Sequence, residues 1–361
     1  MDRYYLEDSH KAVDAKFEAQ RIAFSPLTFQ AAMALRNLGI LEAVSLSGEE
    51  GSTATAIAET RGLSLYGVET LLDAGLSMEL VKLRRDSLPL MYILGKVGYF
   101  VLFDRMTQVN MDFINDVCYQ GASFLEEAVR LGTPAGLRVF GEWKTIYNGL
   151  SSLPQKAAQS WFTFDHYYSD SAFPDALDHV FRHGPRVLYD IGGNTARWAL
   201  LCFHYSADVR VTIFDLPGQL DVARRNIESA GASERIGTHV IDILDPTQAL
   251  PPGVDAVWMS QFLDCFSLEE VRAIMGKVRA AVGPTCDVWV LEPFWDRQRF
   301  VAASYVLHAA SLYFTCMSNG NSKFYRSDVL IDAVRDAGFA LRETVDGLGA
   351  NSYTLLRFQT L

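Results

Sequence analysis

Two acids and two glycines carry the first chemistry legible in this chain. Asp190 closes an apolar run, Val187-Leu188-Tyr189, and is followed by Ile191-Gly192-Gly193-Asn194-Thr195. A second β-rich run, Val209 to Phe214, ends on Asp215, with Leu216 and Pro217 behind it. The glycines let the backbone turn sharply and let a ligand approach the main chain without meeting a Cβ. Asp215 stands where a carboxylate accepts hydrogen bonds from both hydroxyls of a ribose. A dinucleotide fingerprint would read Gly-x-Gly-x-x-Gly, with a helix N-terminus facing pyrophosphate. Here the glycines are adjacent, the third small residue is Ala196, and Asp190 would repel a pyrophosphate. The turn therefore suits a ligand that lacks phosphates and carries positive charge. The bland alternative is a Gly-rich βα turn that binds nothing.

These residues need a strand, a turn, a helix and a second strand to hold them. The helix is read from Trp198, Leu201 and Cys202, at spacings of three and four. Strand, turn, helix, strand and acid make half of a doubly wound nucleotide-binding sheet. S-adenosylmethionine fits the turn, since it bears a sulfonium and an ammonium group. At these two stretches, Asp190-Ile191-Gly192-Gly193-Asn194-Thr195 and Phe214-Asp215-Leu216-Pro217, the chain resembles the S-adenosylmethionine-dependent O-methyltransferases of the plant caffeate and bacterial polyketide type.

The resemblance implies a Rossmann-like α/β methyltransferase domain with a mostly parallel seven-stranded sheet and an antiparallel last strand. It is preceded by a mainly helical, winged-helix-like dimerisation domain. The resemblance also implies cofactor contacts from Asp190, Gly192, Gly193, Asp215 and Leu216. Asp242, after the strand Thr238 to Ile241, would face the adenine amino group, and Ile243 would pack on its ring. A lysine that usually reaches the cofactor carboxylate is replaced by Ser260, which can still donate a hydrogen bond.

The acid-base half departs from the family pattern. The family's base is a His in a Leu-His-Asp-Trp stretch; here the matching residues are Leu263-Asp264-Cys265-Phe266. Glu292 keeps the first of two acids that flank that base, whereas Asn321 to Ser327 holds no acid where the second should fall. A carboxylate with pKa near 4 is a poor base for a phenol near 10; complete transfer across about 6 units would cost about 8 kcal/mol. Either burial raises Asp264, or Asp264 only orients the acceptor, or the acceptor is already acidic. A plain N-cap or ion-pair role is the remaining reading, although Ser267 with Glu270 already forms a capping box for the next helix.

The segment Gln155 to Phe173 packs Trp161, Phe162, Phe164, His166, Tyr167 and Tyr168 into a few helical turns. Aromatics at this density are most often core. In the family the matching helix is an aromatic wall, which makes Phe162, His166 and Tyr167 candidate substrate contacts. His166 by itself is more often a hydrogen-bonded core histidine than a base.

The rest of the chain bounds the function. It has 361 residues, enough for more than one core. The net charge of −11 argues against a polyanion as partner. Five scattered cysteines show no metal-ligand spacing and suggest reduced thiols in the cytoplasm. The N-terminus is charged throughout, unlike a signal peptide. No apolar run reaches about 18 residues, so no membrane span is expected. Phe24, Leu27, Ala31, Leu35 and Leu38 repeat at three and four in an N-terminal helix, a candidate dimer surface. Thr53 or Ser52 can cap a short helix, Leu65 to Ala74 starts another, and Leu80 to Leu83 with Leu88 to Tyr92 reads as a hairpin. That is a winged-helix order. Its second helix carries Glu69 and Asp73 without Lys or Arg, which counts against DNA.

The domains expected are 1–110 for dimerisation, 111–184 as a helical substrate-lining region and 185–361 for cofactor and catalysis. The reading is a cytoplasmic homodimer that methylates a hydroxyl of a small aromatic or polyketide-like acceptor, with Asp264 and Glu292 as catalytic residues and no metal. Methylation of a phenolic ring carbon, and a cofactor-binding regulatory or assembly protein without transfer activity, stand as alternatives.

Overall fold

The computed structural model describes residues 5–85 and 87–361. The chain divides into two compact units between residues 114 and 115.

In the first unit, helices Ala12–Asn37 and Ile40–Leu46 are separated by Gly39, whose φ of 72° is left-handed. Helix Ala54–Arg61 is capped by Thr53, whose hydroxyl accepts from the Ala56 amide. Helix Leu65–Ser77 is capped by Ser64 in the same way. Leu35, Ile40, Leu41, Val44, Ile57 and Leu72 close its core. The hairpin pairs β1 (Val81–Leu83) with β2 (Tyr92–Leu94). Its second strand starts later than the apolar pattern suggests. Leu88 is 94% exposed and Pro89 offers no N–H, so this stretch stays in the connection. Asp86, inside the expected turn, lies outside the described residues. The expected apolar stripe divides: Leu35 is buried, while Phe24, Leu27 and Leu38 are exposed, as are Phe17 and Ile22 earlier on the same long helix.

The second unit is organised by a seven-stranded sheet. In chain order its strands are β3 (Val187–Ile191), β4 (Arg210–Asp215), β5 (Ile236–Val240), β6 (Val254–Ser260), β7 (Val282–Glu292), β8 (Phe339–Leu348) and β9 (Tyr353–Thr360). Their spatial order is β5-β4-β3-β6-β7-β9-β8. β3 to β7 run parallel, and β9 is antiparallel to both β7 and β8. The chain winds outward from β3 in both directions, so β3 marks the topological switch point where such sheets bind ligands.

Side-chain alternation builds the two faces. Tyr189, Val257, Met259, Val288 and Val290 meet the helices Leu268–Ala281 and Ser327–Asp336 on one side. Leu188, Ala256, Trp258, Trp289 and Leu291 meet the helices Phe173–Phe181, Arg197–Tyr205 and Pro217–Ser229 on the other. Trp198 stacks on Trp258 with ring centroids 3.8 Å apart, directly behind the β3 turn. Helix Leu268–Ala281 starts at the expected capping box, in which the Ser267 hydroxyl and the Glu270 carboxylate serve each other's amides. Ser267→Ala is expected to cost about 1 kcal/mol; urea unfolding measures it, and an unchanged midpoint would show that the cap carries no stability.

Candidate active site

Four strands deliver four polar side chains to one end of the sheet. Asp190 lies near the end of β3, Asp215 ends β4, Ser260 ends β6 and Glu292 ends β7. This is the carboxyl edge at the switch point, so the topology alone assembles them.

The glycine turn is built more tightly than its sequence suggests. Gly192 has φ +76°, and a Cβ there would stand 2.2 Å from the Phe262 ring. A Cβ on Gly193 would stand 2.6 Å from Asp190 Oδ2. The glycines thus admit an aromatic ring and a carboxylate of the chain itself. Asn194 and Ala196 also take positive φ, at 47° and 71°. Gly192→Ala is expected to cost at least about 1–2 kcal/mol from the left-handed backbone alone, with weaker cofactor binding in titration. Unchanged stability and affinity would show the turn to be plastic.

Asp215 accepts the Asn194 amide on Oδ2 at 2.9 Å and the Leu216 amide on Oδ1 at 2.7 Å. Burial lifts its pKa to about 6 despite these bonds, with repulsion from Asp165 adding to the rise. Asp190 is 2% exposed, and its Oδ2 meets no hydrogen-bond partner. Burial, with the charge of Asp215 behind it, pushes Asp190 up to about 8. The buried oxygens Asn194 Oδ1 and Ser260 Oγ are likewise without partners. Leaving such groups unpaired costs free energy, so the turn is shaped for a ligand that supplies donors. Asp242 is exposed in the loop after β5, its Oδ1 accepting the Leu244 amide at 3.0 Å, and Ile243 is buried beside it.

The acid-base half lies across the same cleft edge. Glu292 Oε1 accepts the amides of Phe262 and Leu263 at 3.0 and 2.8 Å. That clamp fixes the short turn Leu263–Cys265, which carries Asp264. Asp264 and Glu292 are 3% and 1% exposed. Oδ2 of Asp264 and Oε2 of Glu292 meet no hydrogen-bond partner. The two carboxyls influence each other electrostatically. Burial raises Asp264 to about 7. Burial, then the Asp264 charge, raises Glu292 well above the ordinary carboxylate range.

The segment that lacks the second acid has another task here. Asn319 Nδ2 donates to the Cys265 carbonyl, and Tyr325 OH donates to the Phe266 carbonyl at 2.7 Å. Neutral side chains thus hold the Asp264 turn from behind.

The aromatic helix, Gln155–Ser169, is half-buried along its length, with Trp161 enclosed. Trp161 Nε1 donates to Tyr313 OH at 2.7 Å. Phe162 stacks on His166 with centroids 6.2 Å apart. His166 Nε2 lies 3.4 Å from Thr195 Oγ1, and its Nδ1 is 3.8 Å from Asp170. The Tyr167 carbonyl is held by Asn351 Nδ2 at 3.2 Å. These bonds bring Phe162 and His166 up to the cofactor turn.

Sequence reading passed over Asp165, Tyr147, Tyr313 and Tyr353. Asp165 Oδ2 accepts from Asn194 Nδ2 at 3.1 Å. Burial raises its pKa even though 27% of its side chain is exposed. Its charge reaches both Asp215 and Asp264. A lone acid in an aromatic helix was the available signal, because a charge among rings needs a partner. Tyr147 hydrogen-bonds Cys265, and burial raises Tyr147, Tyr313 and Tyr353 well above the usual phenol range. At neutral pH these phenols are donors and cannot serve as bases.

Known proteins share this architecture. A dimerisation2-like domain model matches residues 16–88, and an O-methyltransferase domain model matches residues 172–340. A demethylspheroidene O-methyltransferase of Cereibacter sphaeroides is 23% identical over 247 residues, 67% of this chain and 62% of that protein. A phenazine-1-carboxylate N-methyltransferase of Pseudomonas aeruginosa is 27% identical over 225 residues, 61% of this chain and 62% of that protein. The chain thus spans less than two thirds of either relative's length. Among solved structures, the S-adenosylmethionine-dependent methyltransferase SibL in its apo form superposes with a TM-score of 0.70 at 26% identity, covering 94% of this chain and 98% of that one.

Proposed function

We propose, for a chain that belongs to the O-methyltransferase family, that it transfers the methyl group of S-adenosylmethionine to a hydroxyl of a small aromatic or polyketide-like acceptor. The observation that carries this reading is the alignment of two half-sites along one sheet edge. One is an acid-lined turn with unpaired buried acceptors. The other is a pair of buried carboxyls, Asp264 and Glu292.

Asp190, Gly192, Gly193, Asp215 and Leu216 hold the cofactor at the β3 turn, with Asp242 and Ile243 at its adenine end and Ser260 at its amino-acid end. When bound, S-adenosylmethionine supplies an electrophilic methyl on a good, neutral leaving group. The chain's own task is alignment and proton removal. Phe162, His166 and Tyr167 flank the acceptor ring. Asp264, at about 7, takes the proton of the hydroxyl. Against a phenol near 10 the mismatch falls to about 3 units, or about 4 kcal/mol. Glu292 keeps its proton and fixes the turn through the amides of Phe262 and Leu263.

The N-terminal unit pairs two copies of the chain through its exposed apolar residues, Phe17, Ile22, Phe24 and Leu27 among them. No helix among the described residues is long and apolar enough to cross a membrane. The five cysteines are unpaired, which supports a reducing, cytoplasmic setting.

Calorimetric titration with S-adenosylhomocysteine tests the cofactor half. Micromolar binding is expected; a folded protein that does not bind would leave the family turn as scaffold and favour a regulatory or assembly role. Methylation of a ring carbon is a second reading, favoured by the absence of the family's His and second acid. Mass spectrometry with a ring-deuterated acceptor separates the two, because only carbon methylation loses a deuteron.

A further inference from the structure

The glycine turn and the turn that carries Asp264 meet at the ring of Phe262. A Cβ on Gly192 would stand 2.2, 2.8 and 3.1 Å from Cδ2, Cε2 and Cγ of that ring. The ring therefore rests on the glycine main chain, where the missing Cβ leaves room for it. The backbone of the same residue belongs to the other half of the site. The Phe262 amide donates to Glu292 Oε1 at 3.0 Å, and the Leu263 amide donates to the same oxygen at 2.8 Å. Asp264 follows directly on these two amides.

Phe262 has little freedom to yield. Before it, Gln261 takes a left-handed φ of 45°, which a residue with a side chain adopts only at a cost. The Gln261 amide is tied to the Leu291 carbonyl at 3.0 Å. After it, the Phe266 ring meets the Phe262 ring edge-on, with centroids 4.9 Å apart. The far end of the acid turn is anchored by Asn319 on the Cys265 carbonyl and Tyr325 on the Phe266 carbonyl. Gly192 is itself held to β4, its amide donating to the Phe214 carbonyl at 2.9 Å. Close-packed atoms transmit a displacement instead of absorbing it. A small shift of the glycine turn thus moves the ring, and the ring carries the Phe262 amide with it.

Resting on the methyltransferase reading, we propose that Phe262 is a positioning residue that passes the seating of the cofactor at Gly192 on to the Asp264 turn. With the cofactor in place, the Gly192 main chain is held against the ring. The ring then keeps the Phe262 and Leu263 amides on Glu292, and Asp264 is aligned when the methyl donor is present.

Amide hydrogen exchange on the full chain, with and without saturating S-adenosylhomocysteine, tests this coupling. In the wild type the ligand is expected to slow exchange at residues 192–196 and, by about tenfold, at residues 262–266. Phe262→Ala is expected to bind S-adenosylhomocysteine within about threefold of the wild type. It should keep the protection at 192–196 and lose the ligand-dependent part at 262–266. A ring that serves structure alone would speed exchange at 262–266 in both states and leave their ratio unchanged, which overturns the proposal. Phe262→Leu, with bulk but no ring, should retain part of that ratio and takes the place of an alanine variant that does not fold. A second arm needs no ligand. Gly192→Ala drives its methyl into the ring and is expected to speed exchange at 262–266, and adding Phe262→Ala should remove that effect. An acid turn that does not answer Gly192→Ala overturns the proposal as well. Wild-type protein that fails to bind S-adenosylhomocysteine sinks the methyltransferase reading, and the second arm then still decides whether the two turns are coupled.

Discussion

Replacing Asp264 by Asn is expected to lower kcat by about 10²–10⁴-fold with little change in cofactor affinity. The substitution keeps the shape of the turn, because Glu292 holds it through the amides of Phe262 and Leu263. It removes the carboxylate assigned to take the proton of the acceptor hydroxyl. Burial raises Asp264 to about 7, so the wild-type rate should fall about tenfold per pH unit below that value, as the carboxylate is protonated. In Asp264→Asn that acid limb should vanish along with most of the rate. A mild rate loss with the limb intact would mean that Asp264 only orients the acceptor. The limb would then belong to another group. Glu292→Gln is the companion variant: it keeps the amide clamp in outline and removes the second titrating carboxyl. Its limb should move up in pH, because Asp264 loses the interaction with the Glu292 carboxyl that lowers it.

The two half-sites were not equally legible in the sequence. The cofactor half is local. Strand, glycine turn and second strand follow one another in the chain, so Asp190, Gly192, Gly193 and Asp215 could be read from spacing, and the sheet order then carried Ser260 and Glu292 to the same edge. The capping box at Ser267 was readable for the same reason. The acceptor half is assembled from distant segments. Tyr147, Asp165, Tyr313 and Tyr353 come from four parts of the chain, and nothing in their neighbours' spacing shows that they converge. Asp165 was hidden by its aromatic company, yet it accepts from Asn194 of the glycine turn. The pKa of Asp264 was unreadable in principle, since it depends on burial and on a partner twenty-eight residues away, Glu292. Gly121 and Gly136 are close-contact points that spacing along the chain does not reveal: a Cβ on either would strike the Met317 sulfur, at 2.1 and 2.7 Å.

Asp215→Ala is expected to weaken S-adenosylhomocysteine binding by at least about 100-fold, or about 2.7 kcal/mol. The carboxylate is pre-positioned by the amides of Asn194 and Leu216, which spend one lone pair on each oxygen and leave the others for a ribose. Removing it loses the ribose contacts and leaves two buried amides unserved. The variant therefore also needs an unfolding curve, so that lost binding is not mistaken for lost structure. Wild-type binding should carry a pH signature of its own. Asp190 and Asp215 are raised to about 8 and about 6 by burial. Their folded pKa values exceed the unfolded ones, so the native state holds extra protons and the free protein loses stability as pH rises from about 4 toward 8. A cationic ligand reverses that penalty by favouring the ionised forms. Affinity for S-adenosylmethionine should thus rise between pH 6 and 8, with protons released on binding. Calorimetry in buffers of different ionisation enthalpy reads that release directly. Identical heats in all buffers, with flat affinity, would show that the acids of the turn do not answer the charge of the cofactor.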